Sequence, residues 1–496
     1  MAIAEIERKS PFDSPYSADL GVRNVRVELI VMAVVGLAGF AVRTQIEEEG
    51  LQNIAFLVLG LTGVAMVIHR TLYGIVAMVF AIGLTPDTFI ASGLRIEDFL
   101  LPPLVLIWLV RKGGNGEPFV QTTAYKDIKI YVAVITFATI KGLYMGYISN
   151  TFVVSAFYFK YIEYFVLFWF MVNNVKEKED VMTILIASMF ACAMVAMIAY
   201  SRRAIKQSEL DMGFVRAAGP EGETPNILGG YFMMHVMLAL AFFFMIKKST
   251  YKIILLAFMI GVAIPLLFTY SRTSLVSLLF GLLITVIFVD FRYLLILLLL
   301  VVLSPILIPM EAVPKDLVDR YQTILALVNL DEEETAKPVS SWEARQSGWY
   351  VYYLYTKKDD PIFGRGVGSV GLGVDSAYAK KFFESGVIGL LAFLMMLARL
   401  GRIAVDLIKK TNDDIYKSYA IGYLGLLAGM CVHGIGVSSF STIRTAEPFW
   451  LFSGVLIAVA EIVRREADIA EEEETDKDEL EFVPKRYVFG NWSPVT

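Results

Sequence analysis

The chain has 496 residues, 56% of them hydrophobic and 19% charged, and a net charge of −5. Its mean hydropathy is +0.61, and its apolar stretches recur at the roughly 20-residue length that crosses a bilayer. These values exclude an ordinary soluble domain, where about 25% of residues are charged. The acidic balance indicates no nucleic-acid partner. Cys192 and Cys431 both lie in apolar stretches, so neither a disulfide framework nor a zinc site is indicated.

The apolar stretches are predicted to be helices, because backbone amides inside a bilayer must be hydrogen-bonded within the protein. We therefore predict an all-α membrane bundle of about 12–14 transmembrane helices. Residues 1–25 are polar and form a cytoplasmic leader rather than a cleaved signal peptide. The bundle occupies residues 26–309 and 383–463. The predicted helices cover 26–43, 52–69, 72–90, 97–111, 128–148, 153–174, 180–200, 226–246, 251–270, 273–289, 292–309, 383–400, 418–437 and 447–463.

Basic residues predict the orientation of the bundle, because short loops rich in Lys and Arg stay in the cytoplasm. If the N-terminus is cytoplasmic, every second loop is basic, and the acidic connection at 46–50 lies outside. The C-terminus is then cytoplasmic as well. The residues that mark the cytoplasmic loops are Arg70, Arg111, Lys112, Lys126, Lys176, Lys178, Lys247, Lys248, Lys252, Arg292, Arg399, Arg402, Lys409 and Lys410.

Two long polar segments, residues 201–226 and 310–384, are predicted to lie outside. Loops of this length in a compact fold are usually functional or disordered. The stretch SWEARQSGWYVYYLY inside the second segment has the aromatic content of a helix that lies at the membrane interface. We therefore expect an ordered cap containing short helices over residues 310–384. The acidic tail, residues 464–496, is expected to extend the last helix briefly and then to be disordered.

Three short stretches on the predicted outer side carry polar residues suited to chemistry. The first, VRAAGPEGETPN, contains Arg216 and ends at Asn226, a candidate substrate-binding residue where a helix opens. The second, TYSRTS, places Arg272 at another helix start. The third, PIFGRGVGSVGLGVDSAYAKKFFESG, contains Gly364, Gly366, Gly368, Asp375 and Glu384. In their order and spacing, these stretches resemble the O-antigen ligase and O-antigen polymerase superfamily of bacterial membrane glycosyltransferases.

The resemblance implies a glycosyltransferase of the bacterial inner membrane that takes its glycan from undecaprenyl diphosphate. The reaction would invert the sugar carbon and need neither a metal nor another cofactor. The implied partners are the lipid-linked donor, a glycan or lipid acceptor, and membrane lipids. Ligases of this superfamily carry a His-Asn pair where this chain has Asp375-Ser376. That difference favours a polymerase of secreted polysaccharide or O-antigen over a ligase that acts on lipid A core.

By the same resemblance, Arg216 and Arg272 bind the donor diphosphate. Arginine suits this role, since its planar guanidinium makes paired hydrogen bonds to phosphate oxygens. The alternative is that each side chain only extends to place its charge at the outer membrane–water interface. Asp375 is interpreted as the base that takes the proton of the acceptor hydroxyl, although an Asp at this point is also a good helix N-cap.

The remaining candidates each have a structural alternative. Arg345 belongs to the substrate site or to a solvated helix face, and Glu384 to the site or to a helix cap. Lys160 lines a lipid-diphosphate groove or pairs with Glu163, which lies three residues further along one helix. Gly364 and Gly366 would let the backbone approach a phosphate or sugar. The pair Asp359-Asp360 is interpreted as a solvated turn rather than a metal site.

Two other functions remain open. A flippase or other transporter of lipid-linked oligosaccharide would use the same buried charges to carry its substrate across the membrane. A structural or assembly protein would recruit polysaccharide-assembly partners through the acidic tail. Deletion of residues 466–496 would abolish function in that second case and leave an enzyme largely active.

Overall fold

The computed structural model describes residues 70–85, 95–148, 151–210, 215–220, 224–293, 295, 341–371 and 373–481. Every regular element in these residues is an α-helix, as predicted. The predicted helices at 26–43 and 52–69 lie outside the described residues, as do most of the helix at 292–309 and residues 310–340 of the large loop.

Twelve helices, numbered here within the described residues, make up the structure. They are α1 (Thr71–Leu84), α2 (Ile96–Asn115), α3 (Ala124–Tyr144), α4 (Thr151–Asn174), α5 (Lys178–Leu210), α6 (Pro225–Met245), α7 (Ser249–Leu267), α8 (Arg272–Val289), α9 (Ser341–Asp359), α10 (Ala377–Lys410), α11 (Asp414–Gly436) and α12 (Ile443–Glu481). Seven of them, α5–α8 and α10–α12, are long and apolar enough to cross a membrane. The chain is therefore a membrane protein.

The centre of the bundle is formed by α6, α11 and α12, whose apolar segments are about four-fifths buried. Helices α6 and α8 pack on α11, α12 packs on α4, and α10 packs on α3 and α11. Close approach is possible because α11 carries glycines at its contacts. A Cβ at Gly425 would collide with Thr285 of α8, and one at Gly429 would collide with Met233 of α6. Small residues at such contacts are typical of helix packing in membranes.

The bundle has two distinct ends. One, here called the loop end, carries residues 215–220, 360–371 and 373–376 and the starts of α6, α8, α10 and α12. The other, called the basic end, carries the starts of α5 and α11 and is held together by ion pairs. These pairs are Arg70–Asp180, Lys176–Glu117, Lys178–Asp413 and Lys247–Asp414. The residues predicted to lie in cytoplasmic loops thus gather at one end.

Several boundaries differ from the sequence prediction. Helix α5 was predicted to end near residue 200 and continues to Leu210, and α10 was predicted to end near residue 400 and continues to Lys410. The helix predicted at 383–400 begins six residues earlier, at Ala377, and contains a break at Gly386, which has φ of 66°. The last helix does not stop soon after Val463 but continues to Glu481, through the acidic run that was expected to be disordered. Arg464 explains part of this extension, because it pairs with Glu461 and Asp468 along the helix surface.

Candidate functional site

Arg216 and Asn226, predicted to share a site, are in direct contact at the loop end. The Arg216 guanidinium donates from NH2 to Asn226 Oδ1 at 2.8 Å and from Nε to the Thr269 carbonyl at 2.7 Å. The backbone supports this contact, since Ala217 N donates to the Phe268 carbonyl at 2.7 Å. Two bonds to rigid partners fix the plane of the guanidinium, so its orientation is set by the protein itself.

Arg272 lies beside this contact because α8 begins three residues after Thr269. Its helix start is capped by Ser271, whose Oγ accepts from Ser274 N at 3.2 Å. The arginine side chain is partly exposed. The structure therefore brings the first two predicted stretches together, with both arginines at the loop end.

A buried histidine, which the sequence analysis did not assign to the site, contacts the residues at the starts of α6 and α8. His433 of α11 is fully buried, and its Nε2 lies 3.0 Å from Ser274 Oγ, while Nδ1 lies 2.6 Å from Ser439 Oγ. Ser274 Oγ also donates to the Asn226 carbonyl at 3.2 Å. The imidazole thus links α11 to the starts of α6 and α8, the two helices that carry Asn226 and Arg272.

Asp375 is exposed and does not cap α10. The N-cap is the next residue, Ser376, whose Oγ accepts from Ala379 N. Ser376 Oγ also donates to the Gly434 carbonyl at 3.4 Å, and Ala377 N donates to the Val437 carbonyl at 3.2 Å. These bonds attach the segment that carries Asp375 to the end of α11, next to His433.

The glycine-rich loop, residues 361–368, forms hydrogen bonds with the backbone at the break in α10. The first half of that helix ends at the carbonyls of Phe383 and Glu384. The Phe383 carbonyl accepts from Arg365 N at 3.0 Å, and the Glu384 carbonyl accepts from Gly366 N at 2.8 Å. The second half begins with the amide of Val387, which donates to the Pro361 carbonyl at 3.0 Å. A break in a helix normally leaves such groups unpaired. Here the loop of residues 361–368 pairs them.

This arrangement gives Gly364, Gly366 and Glu384 structural roles. All three residues make contacts within the protein around the break in α10. A Cβ at Gly364 would collide with the backbone of α10 at Ser385, and one at Gly366 would press on Ile148 and on the backbone of α3. The Glu384 carboxylate is buried and accepts from Gly368 N at 3.0 Å and from the Tyr161 hydroxyl at 2.8 Å.

The acidic pair Asp359-Asp360 is also used within the protein. Asp359 pairs with Arg365 at 2.9 Å, and Asp360 pairs with Lys141 of α3. Both carboxylates are largely shielded from solvent. The pair is therefore neither the solvated turn that the sequence suggested nor a metal-binding pair. It anchors the end of α9 to the glycine-rich loop.

Lys160 lies in a buried charge cluster, which matches the alternative in which it pairs with Glu163. Its ammonium pairs with Asp98, with Glu163 at 3.1 Å and with Glu447 at 2.7 Å. Oxygens of these three carboxylates lie within 4.8 Å of one another. The expected Lys160–Glu163 pair is present, but three carboxylates around one ammonium make the surroundings unfavourable for a diphosphate anion.

The cluster continues through two fully buried arginines. Arg95 pairs with Glu97 at 2.7 Å and donates to the Thr85 carbonyl at 2.6 Å. Arg444 of α12 donates to the same carbonyl at 2.8 Å and also to the Gly83 carbonyl. These two arginines and Glu97 are no more than 1% exposed. They close the end of α1, where the last carbonyls would otherwise lack partners.

Arg345 is placed on a helix, but its side chain lies outside the described residues. Helix α9 confirms the helix expected in the large loop. It packs on α10 through Tyr352, whose ring lies 5.8 Å from that of Phe383. Tyr350 and Tyr355 are exposed on its other side, as expected of a helix at an interface.

No protein-family profile and no curated protein matches this chain. The resemblance to O-antigen ligases and polymerases therefore rests on the three sequence stretches alone.

Proposed function

We propose that this protein is a membrane glycosyltransferase of the O-antigen ligase and polymerase type. It would transfer glycan from undecaprenyl diphosphate to an acceptor hydroxyl at the loop end of the bundle. One observation carries the proposal: the contact of Arg216 with Asn226 and Thr269, which joins two separate sequence stretches beside Arg272.

In this mechanism the two arginines bind the diphosphate of the donor. As the bond from the sugar carbon to the diphosphate oxygen breaks, negative charge grows on that oxygen. A guanidinium already held by Asn226 and Thr269 needs little reorganisation to stabilise this charge, and such preorganised groups are the most effective in catalysis. Undecaprenyl diphosphate is the leaving group.

The acceptor hydroxyl oxygen attacks the sugar carbon from the opposite face and gives its proton to the Asp375 carboxylate. Asp375 suits this task because its side chain is exposed and Ser376 caps the helix in its place. The products are the extended glycan and free lipid diphosphate, with inversion at the sugar carbon. The departure from a His-Asn pair favours a polymerase over a lipid A-core ligase.

The proposal places the loop end outside the bacterial inner membrane and the basic end in the cytoplasm. The gathering of predicted cytoplasmic residues at one end supports this orientation, because basic loops stay inside. The acidic end of α12 would then be available to cytoplasmic partners of polysaccharide assembly.

In-vitro transfer tests the proposal directly. Purified protein in detergent is mixed with extracted undecaprenyl-diphosphate glycan and acceptor, and the products are separated by size. Lengthened glycan with release of lipid diphosphate is the expected result. An intact donor after prolonged incubation with its native acceptor would contradict a transferase.

A flippase for lipid-linked oligosaccharide is the second candidate, and the charge cluster around Lys160 favours it. Buried ionisable groups in membrane bundles often mark a transport route, and the transferase mechanism gives this cluster no chemical role. Movement of a labelled donor between the leaflets of proteoliposomes, without chemical change, would establish the flippase.

A further inference from the structure

A cleft at the basic end lies apart from the candidate site at the loop end and from the charge cluster around Lys160. It has a volume of about 230 Å³ and lies between the ends of α2 and α4 and the starts of α1 and α5. Four basic side chains line it: Arg70, Arg111, Lys112 and Lys176. Its other polar lining residues are Thr71, Asn115, Asn174, Glu117, Glu177 and Asp180.

Two of the three acidic residues of the cleft, Asp180 and Glu117, are already engaged. Asp180 accepts from Arg70 at 3.0 Å and from the backbone amide of Lys176 at 3.0 Å, at the start of α5. Glu117 accepts from the Lys176 ammonium at 2.6 Å. This hydrogen bond keeps the pKa of Glu117 below its usual value, so the carboxylate stays charged and bonded to Lys176.

Among the described residues, Lys112 has no carboxylate at hydrogen-bond distance and makes only a long ion pair. Its side chain is 5% exposed, and its nearest described carboxylate is Glu117 at 4.0 Å, beyond hydrogen-bond distance. The ammonium lies over the rings of Phe119 at 5.1 Å and Trp108 at 5.7 Å. Aromatic faces attract a cation, but they do not neutralise it or accept its hydrogen bonds. A cation that lines the cleft and is paired only at 4.0 Å favours an anion there.

The position of the cleft indicates where such an anion comes from. Leu106 and Val110 of α2 are exposed just above it, as expected of side chains that face lipid. Trp108 and Phe119 lie beside it, at the level where aromatic residues meet the membrane interface. Its volume is below the roughly 300–1,000 Å³ of drug-sized ligand sites and suits a small, strongly charged group.

We propose that this cleft binds a phosphate group, with Lys112 as its central ligand. The group is carried either by an anionic lipid headgroup or by a small soluble phosphate. Basic pockets between membrane helices on the cytoplasmic side hold phosphate headgroups in this manner. The proposal does not depend on the transferase function, since the cleft lies at the opposite end from Arg216 and Arg272.

Binding to full-length protein in detergent tests the proposal. Phosphatidylglycerol is titrated and counted on the protein by native mass spectrometry, and inorganic pyrophosphate is titrated by calorimetry in parallel. Lys112→Gln is compared with Lys409→Gln, which removes one exposed charge from the same end of the bundle. We expect Lys112→Gln to weaken binding by about tenfold, the effect of one lost charge-assisted hydrogen bond, and Lys409→Gln to leave it unchanged.

Glu117→Gln provides a second variant that leaves the buried residues untouched, because the Glu117 side chain is 41% exposed. It removes the carboxylate that competes for the cations, so we expect tighter binding. Lipid binding alone would identify a headgroup site, and pyrophosphate binding alone a site for a soluble phosphate. Equal binding by Lys112→Gln and Lys409→Gln, or no binding of either ligand by wild type, would overturn the proposal.

Discussion

Arg216 and Asn226 form a hydrogen bond of 2.8 Å between side chains that begin on different segments, a loop and the first turn of α6. Asparagine in that turn does not cap its own helix. It holds the arginine, whose second bond goes to the Thr269 carbonyl just before α8. The contact therefore makes the position of a candidate catalytic cation depend on three segments at once.

Asn226→Ala is predicted to lower transfer activity about tenfold or more, because Arg216 loses one of the two bonds that hold its guanidinium. A charge-assisted hydrogen bond of this kind is worth about 1.5–3 kcal/mol. The in-vitro transfer assay measures the effect. Asn412→Ala removes an exposed amide between α10 and α11 and should leave transfer unchanged. Equal rates for the two variants would remove Asn226 from the site.

Asp375→Asn is predicted to reduce transfer by about a hundredfold or more, since the amide cannot accept the hydroxyl proton. Stability should be unaffected, because the side chain is exposed and Ser376 is the cap. Ser376→Ala should show the opposite pattern, with a loss of about 1 kcal/mol in stability from the missing cap. Transfer rate and melting temperature are measured for both. An active Asp375→Asn variant would exclude Asp375 as the base.

Glu384→Ala is predicted to lower the melting temperature strongly. The change leaves the partly buried Gly368 N without its acceptor and the buried Tyr161 hydroxyl with only Ser441 Oγ as a partner, and loss of such an acceptor costs about 1–3 kcal/mol. Glu179→Ala, an exposed position on α5, serves as the control. If Glu384→Ala instead abolished transfer at unchanged stability, Glu384 would belong to the active site and not to the scaffold.

Lys160→Ala is predicted to be among the most destabilising single changes in the chain. It leaves the carboxylates of Asp98, Glu163 and Glu447 without their shared cation, and loss of one partner from a buried ion pair costs about 3–5 kcal/mol. A second change, Glu447→Gln, should restore part of this loss by removing one charge. Melting temperatures of the single and double variants test the coupling. A stable Lys160→Ala protein that fails to bind donor would revive the diphosphate-groove interpretation.

The sequence predicts the helices well because each span has its own apolar run, and most of the described helices lie within a few residues of the expected bounds. The N-cap residues of the helices were harder to predict. Asp375 and Ser376 are both good N-cap residues, and a choice between neighbours depends on where the helix phase begins. The acidic end of α12 was expected to be disordered on composition, yet pairs such as Arg464 with Asp468 favour helix.

The site was predictable only in part. Arg216, Asn226 and Arg272 stand out as polar residues at helix starts, and the structure brings them together. Glu384 and the glycines also stand out, but their role depends on the break in α10 and on which backbone lies against them. His433 gave no signal beyond being a polar residue in a span. Its bond to Ser274 joins helices far apart in the sequence, a relationship that no local pattern reveals.

The charge cluster around Lys160 also constrains how the protein is made. Lys160, Asp98 and Glu163 belong to helices synthesised early, whereas Glu447 and Arg444 belong to the last described helix. A lone charge at the centre of an inserting helix costs about 2.5–3.5 kcal/mol, so we expect Lys160 to pair first with Asp98 and Glu163 and the cluster to be completed only when α12 inserts. A chain truncated before α12 would thus expose polar helix surfaces within the bilayer and become a substrate for membrane quality control.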